Sequence, residues 1–219
     1  MPLKHIDDDI PVKRFDLNAD KWMAVFDGIG GEPKGEKASY TAARSLSEQA
    51  SKECDINNIV DSLNESVLEC ARNSKVTMMG TTVAALCFAD KKITGFNVGD
   101  SRCYHFSDGR MERMSSDHAK YAGTPQHRLL TQYIGVKKSD FIITPYQFTR
   151  EYHEGDTYML CTDGLTDFII DRRISDIINA KIPVSQQLEI LRERIAKRGT
   201  PDNATVLIAR IIDKTDKQI

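Results

Sequence analysis

The sequence predicts an α+β domain built on antiparallel sheets. Three observations carry this reading. Apolar runs of strand length cluster together in the middle of the chain, with helical segments on either side. Tight turns such as Ala89-Asp90-Lys91-Lys92 and Ser107-Asp108-Gly109 join neighbouring strands as hairpins. Strands and helices do not alternate one by one, so a parallel βαβ sheet is not expected.

The elements follow in order. Residues 22–26 form an apolar run without a polar break, the pattern of a strand buried on both faces. A helix rich in Ala and Ser is expected over 36–53. A second over 57–73 carries Ile59, Val60, Leu63 and Val67 on one face. Strands are expected over 81–89, 93–98, 103–106 and 110–114. Residues 115–135 read as loop, and 140–152 alternates only loosely. The Gly155-Asp156 turn precedes a strand over 157–161. Helices follow over 171–179 and 184–197, the second aligning Leu188, Leu191 and Ile195 and stopped by Gly199-Thr200-Pro201. The last strand spans 205–212. One domain over 1–213 with a short polar tail at 214–219 is the expected organisation.

Composition narrows the function. Of 219 residues, 40% are hydrophobic and 28% charged, which indicates a globular chain and not a disordered one. A formal net charge of -2 argues against a nucleic-acid partner. The longest apolar runs are strand-sized, so no membrane segment is expected, and the N-terminus lacks a signal-peptide core. Cys54, Cys70, Cys87, Cys103 and Cys161 are odd in number and sit in helix or strand patterns, so they read as reduced thiols of a cytoplasmic protein. Cys161 lies nearest the acidic corners, but no cation flanks it to make a thiolate.

The chemistry lies in acids at strand ends. Asp27 follows the first strand and opens Asp27-Gly28-Ile29-Gly30-Gly31. Asp100 follows the strand ending at Val98, Asp163 follows Cys161, and Asp202 precedes the last strand. Any one of these is an ordinary polar turn. Their recurrence suggests convergence, and converging carboxylates repel unless a cation sits among them. Oxygen donors without Cys/His clusters suit Mg²⁺ or Mn²⁺ better than Zn²⁺.

Five motifs, in order, carry a family resemblance: Phe26-Asp27-Gly28-Ile29-Gly30-Gly31, Gly80-Thr81-Thr82, Val98-Gly99-Asp100-Ser101-Arg102, Thr162-Asp163-Gly164-Leu165-Thr166-Asp167 and Asp202-Asn203-Ala204-Thr205-Val206. Together they resemble the type 2C, metal-dependent (PPM) serine/threonine protein phosphatases, bacterial branch. The resemblance implies a sandwich of two antiparallel β-sheets flanked by helix pairs. It implies hydrolysis of phosphoserine and phosphothreonine in proteins by a water activated between two metal ions, Mg²⁺ or Mn²⁺. By the same resemblance Asp27 bridges the ions, the Gly28 carbonyl serves one, and Asp163 and Asp202 hold the other. Asp100 belongs with Asp163 to a third position, and Asp8 or Asp9 orients metal waters. A phosphorylated protein is the implied substrate, with a cognate Ser/Thr kinase or its targets as partners.

Two departures stand out. The arginine that clamps phosphate in the family falls here on Lys4, with His5 as a second candidate; lysine is a point charge without the bidentate fork. The segment between Asp117-His118 and Leu130-Thr131-Gln132 is shorter than the family's flap. That leaves Asp100 open to a structural reading, with Arg102 as its salt-bridge partner. His118 reads as a loop histidine, with proton donation to the leaving group as the other reading. The departures also leave a second function open, a catalytically weak or inactive member that binds a phosphoprotein or regulator.

Overall fold

The structure is a computed structural model and describes residues 21–29, 34–49, 55–121, 128–199 and 202–213. In chain order it begins with β1 (Lys21–Val25), α1 (Gly35–Gln49) and α2 (Ile56–Asn73). Four strands follow: β2 (Val83–Ala89), β3 (Lys92–Val98), β4 (Arg102–Ser107) and β5 (Arg110–Arg113). Then come β6 (Ala119–Tyr121), β7 (Arg128–Leu130), β8 (Tyr146–Glu151) and β9 (Thr157–Cys161). The chain continues through α3 (Asp163–Thr166), α4 (Asp171–Ile178), α5 (Val184–Ala196) and β10 (Val206–Arg210).

Strand periodicity builds the layers. One sheet has the order β1-β2-β3-β8 and the other β10-β9-β4-β5, with antiparallel pairing throughout. Successive side chains on a strand point to opposite faces. Along β2, Val83 and Ala85 therefore pack outward against Leu46, Ile59, Leu63 and Val67 of α1 and α2. Ala84, Leu86 and Phe88 point the other way, toward Cys103, Tyr158 and Leu160 of the second sheet. On β9, Met159 and Cys161 face Ile174, Ile177 and Leu191 of α4 and α5. Both central strands are thus buried on both faces, which is why they read as continuous apolar runs. The result is a helix–sheet–sheet–helix sandwich with one core between the sheets and one under each helix layer.

The hairpins obey their turn chemistry. Asp90 and Lys91 have φ of 46° and 60°, and Asp108 and Gly109 have 50° and 73°. Paired positive φ values match the right-handed strand twist. The α2 stripe is buried as expected, and Asp55 caps its first turn, accepting from Asn57 N–H at 2.9 Å.

Three expectations change. Residues 115–135 are not all loop: Ala119 pairs with Leu130 in a two-stranded hairpin, β6–β7. Such strands, three residues each, are too short to show a period. Only Tyr146–Glu151 of the loosely alternating stretch becomes a strand, at the edge of its sheet. The short helix α3 was not expected, because four residues including Gly164 give no helical stripe.

Candidate metal centre

Asp27 stands just past β1, where the strand continues as a narrow ladder. Thr82 N–H donates to Asp27 O at 2.8 Å, and the Thr81 hydroxyl donates to the same carbonyl at 2.9 Å. Asp27 N–H donates in return to Thr82 Oγ1 at 3.2 Å. Gly28 lies opposite Thr81, and Thr81 opposite Ile134. The Asp27 backbone is therefore fixed at both its N–H and its carbonyl before any ligand arrives.

The second acid is brought in by a glycine. Gly99 has φ of 101°, and a Cβ there would lie 2.7 Å from Thr82 Cβ. Only glycine lets the β3–β4 corner turn this way against the ladder. The Thr82 and Ser101 hydroxyls then meet at 2.7 Å, and Asp100 is buried between its neighbours.

The other two acids share a second junction. Thr162 N–H donates to Thr205 O at 3.1 Å, and Thr205 N–H donates to Thr162 Oγ1 at 3.0 Å. A Cβ on Gly164 would lie 2.2 Å from Asn203 O, so the backbone before β10 rests directly on the start of α3. Asp163, first residue of α3, and Asp202, before β10, are the chain neighbours of the two residues in this contact.

Asp27 feels the charge of each of the other three acids. The Asp27 carboxyl is pushed up to about 8. Burial is the largest cause; the charge of Asp163 and a hydrogen bond with it come next, then the charges of Asp202 and Asp100. A cation among them would oppose those charge effects and favour the ionised carboxylates. The donors are all hard oxygens, the set that suits Mg²⁺ or Mn²⁺. Among the described residues, no three or more carboxylate, imidazole or thiolate side chains stand close enough together to hold a metal ion. Asp8, Asp9, Lys4 and His5 lie outside the described residues.

A model of the protein phosphatase 2C family matches residues 5–198. The chain belongs to that family. It is a serine/threonine protein phosphatase by class, and its sandwich is the family's α+β fold. It is similar to the serine/threonine phosphatase stp of Listeria welshimeri, 26% identical over 214 residues, 85% of this chain and 82% of the relative. Its fold is similar to that of Stp1 from Staphylococcus aureus, with a TM-score of 0.78, 24% identity and coverage of 89% of this chain and 85% of the other. It is also similar to the catalytic domain of the phosphatase PstP in complex with two manganese ions, with a TM-score of 0.70, 26% identity and coverage of 94% and 96%.

Around the acids, this phosphatase uses residues that the sequence left as bland. Thr82, Ser101 and Thr162 tie the acid-bearing corners together. Their signal was position: Ser101 and Thr162 each adjoin an acid of a motif, and Thr82 closes Gly80-Thr81-Thr82. Arg102 does not serve Asp100. It forks onto Asp117, with Nη2 to Oδ2 at 2.6 Å and Nε to Oδ1 at 3.0 Å, and both side chains are buried. Burial, the largest single effect, opposes the Arg102 charge, but the hydrogen bonds and charges of Asp117 and Tyr104 together outweigh it and its pKa rises.

His118 is not a free loop histidine. Its N–H donates to Gly99 O at 2.9 Å, and its Nδ1 accepts from Gly99 N–H at 3.2 Å. Desolvation lowers its pKa, which favours the neutral ring, and a neutral ring accepting at Nδ1 carries its proton on Nε2. Cys161 is fully buried, and burial pushes its thiol up, which agrees with an inert core cysteine.

Proposed function

We propose that this phosphatase hydrolyses phosphoserine and phosphothreonine in proteins, with divalent cations held by Asp27, the Gly28 carbonyl, Asp163 and Asp202. The observation that carries this reading is that three carboxylates from other strand ends, Asp163, Asp202 and Asp100, all act on the carboxyl of Asp27. Asp100 adds a further carboxylate for a third ion beside Asp163, and Asp8 and Asp9 are assigned to the same centre from the sequence.

Bound Mg²⁺ or Mn²⁺ would lower the pKa of water from about 15.7 toward neutrality and offset phosphoryl charge. The chain's own residues supply the rest. The Asp27 backbone is held by the Thr81–Thr82 ladder, so the acid starts from a fixed Cα when a phosphate arrives. Thr162 and Gly164 fix the spacing of Asp163 and Asp202. Lys4 takes the place of the phosphate clamp as a point charge. No nucleophilic side chain is required, consistent with the inert state of Cys161. A phosphoprotein is the substrate, and a Ser/Thr kinase whose marks it removes is the matching partner. Among the described residues no helix is long and apolar enough to cross a membrane; a cytoplasmic location is the reading from the reduced cysteines.

The test is hydrolysis of para-nitrophenyl phosphate and a phosphothreonine peptide against Mn²⁺ concentration. Saturable, metal-dependent turnover is expected, lost in both Asp27→Asn and Asp163→Asn. Metal binding by calorimetry without turnover would instead support the non-catalytic, phosphoprotein-binding reading.

A further inference from the structure

We propose that an apolar shelf beside the acidic centre binds an apolar side chain next to the phosphorylated residue, so that this phosphatase prefers phosphopeptides with apolar flanks. The inference rests on the phosphatase reading above and adds a substrate preference to it.

The shelf follows from register. In paired extended chain, residues two apart share a face, and directly paired residues share it across the ladder. Gly28 is opposite Thr81, and Thr81 is opposite Ile134. Asp27 and Ile29 therefore share their face with Gly80, Thr82 and Tyr133. The contacts agree. A Cβ built on Gly80 would lie 2.5 Å from Ile29 Cδ1 and 2.8 Å from Tyr133 Cδ2, so both side chains close over the bare glycine. The Tyr133 ring meets the edge of Phe141 at 5.7 Å and 79°, and its hydroxyl donates to Met78 Sδ at 3.7 Å.

The shelf remains open on its outer side. Met78 is 43% exposed and Ile142, next to Phe141, is 80% exposed. Singly such residues are unremarkable, but contiguous apolar surface beside a site marks a contact. The occupant follows from continuity. A substrate whose phosphate reaches Asp27 must lay adjoining residues over what borders Asp27, and on this face the border is Ile29, Tyr133 and Met78. An extended peptide advances about 3.3 Å per residue, so side chains one or two positions from the phosphoresidue reach the shelf. The shelf carries no acid or base among these residues, so it selects for apolar side chains and not charged ones.

The experiment compares two phosphothreonine peptides, one flanked by leucines and one by glycines, on the full chain with Mn²⁺. Para-nitrophenyl phosphate serves as the control for the centre itself. The wild type is expected to favour the leucine peptide by about tenfold in kcat/KM, mostly through KM, the scale of one apolar contact. Tyr133→Ala and Met78→Ser should each reduce that ratio severalfold, while Tyr133→Phe keeps it. A wild-type ratio near one overturns the inference, as does a ratio unchanged in both Tyr133→Ala and Met78→Ser. A change of oligomeric state in these variants by light scattering, with the ratio intact, assigns the shelf to a second copy of the chain and likewise overturns it. Loss of turnover on all three substrates in the wild type would remove the phosphatase reading itself and this inference with it.

Discussion

Asp27 at residue scale carries opposite demands. Without a cation, burial and three neighbouring acids raise its carboxyl from 3.8 to about 8. An acid whose folded value is raised is stabilising only below its unfolded value, and the folded state loses stability as pH rises from 3.8 toward 8. At neutral pH the metal-free protein therefore carries a cost that an amide does not. Asp27→Asn is expected to raise the melting temperature in the presence of a chelator while abolishing metal-dependent turnover; scanning calorimetry with and without Mn²⁺ reads both. A lower melting temperature for the variant under chelator would contradict the crowding. Arg102 and Asp117 make the complementary case of a buried pair that is satisfied. Arg102→Ala leaves Asp117 only the longer 3.4 Å bridge from Arg113, so it should cost about 1–3 kcal/mol in urea unfolding. Breaking an exposed pair such as Arg44–Glu48 should change the same measurement little.

At the scale of elements, close backbone approaches set the site. Gly164→Ala places a methyl group against Asn203 O, which is backbone and cannot turn aside. The loop before β10 must then shift, carrying Asp202 away from Asp163. The expected result is metal affinity lowered at least tenfold by calorimetry, with the far-UV spectrum preserved. At the opposite end of β9, Asp156 holds the turn from β8. Its carboxylate is buried, yet its pKa falls. Burial alone would raise it, but bonds from His153 N–H, the Ser107 hydroxyl and His105 outweigh burial. His153 N–H donates at 2.9 Å and the Tyr158 hydroxyl at 3.1 Å. A depressed acid contributes stability above its unfolded value of 3.8, and that contribution fades as pH falls through the lower folded value. Asp156→Asn should therefore be less stable than wild type at pH 7 by about 1–3 kcal/mol. The gap should narrow below pH 3.8, as read by urea melts across pH 3 to 7.

At the scale of the molecule, the core between the sheets joins both halves of the acidic group. Asp27 and Asp100 lie at ends of strands on one side of it, and Asp163 and Asp202 at the ends of β9 and β10 on the other. A cation held by both sheets binds only the folded chain, so it stabilises by mass action. Mn²⁺ at about 100 times its dissociation constant should add about 2.7 kcal/mol, and a chelator should remove it. Thermal melts at graded Mn²⁺ check this. A transition unmoved by metal would show that the acids do not form a shared centre.

Much of this was legible in the sequence because it depends on local patterns. The α2 stripe, the hairpin turns and the apolar runs of β2, β3 and β9 follow from period and turn chemistry, and the acids Asp27, Asp100, Asp163 and Asp202 stood out at strand ends in order. The fold class and the phosphatase family were readable from those motifs. What the sequence did not decide is contact between distant segments. Arg102 could have served Asp100, but packing gave it to Asp117. His118 looked like a loop histidine, but folding bound it to Gly99. Thr82, Ser101 and Thr162 acquired their roles only when corners far apart in the chain met, and Tyr133 joined the Asp27 face only through its register opposite Thr82. Residue type and spacing determine which chemistry a chain can carry; long-range packing decides which side chains share it.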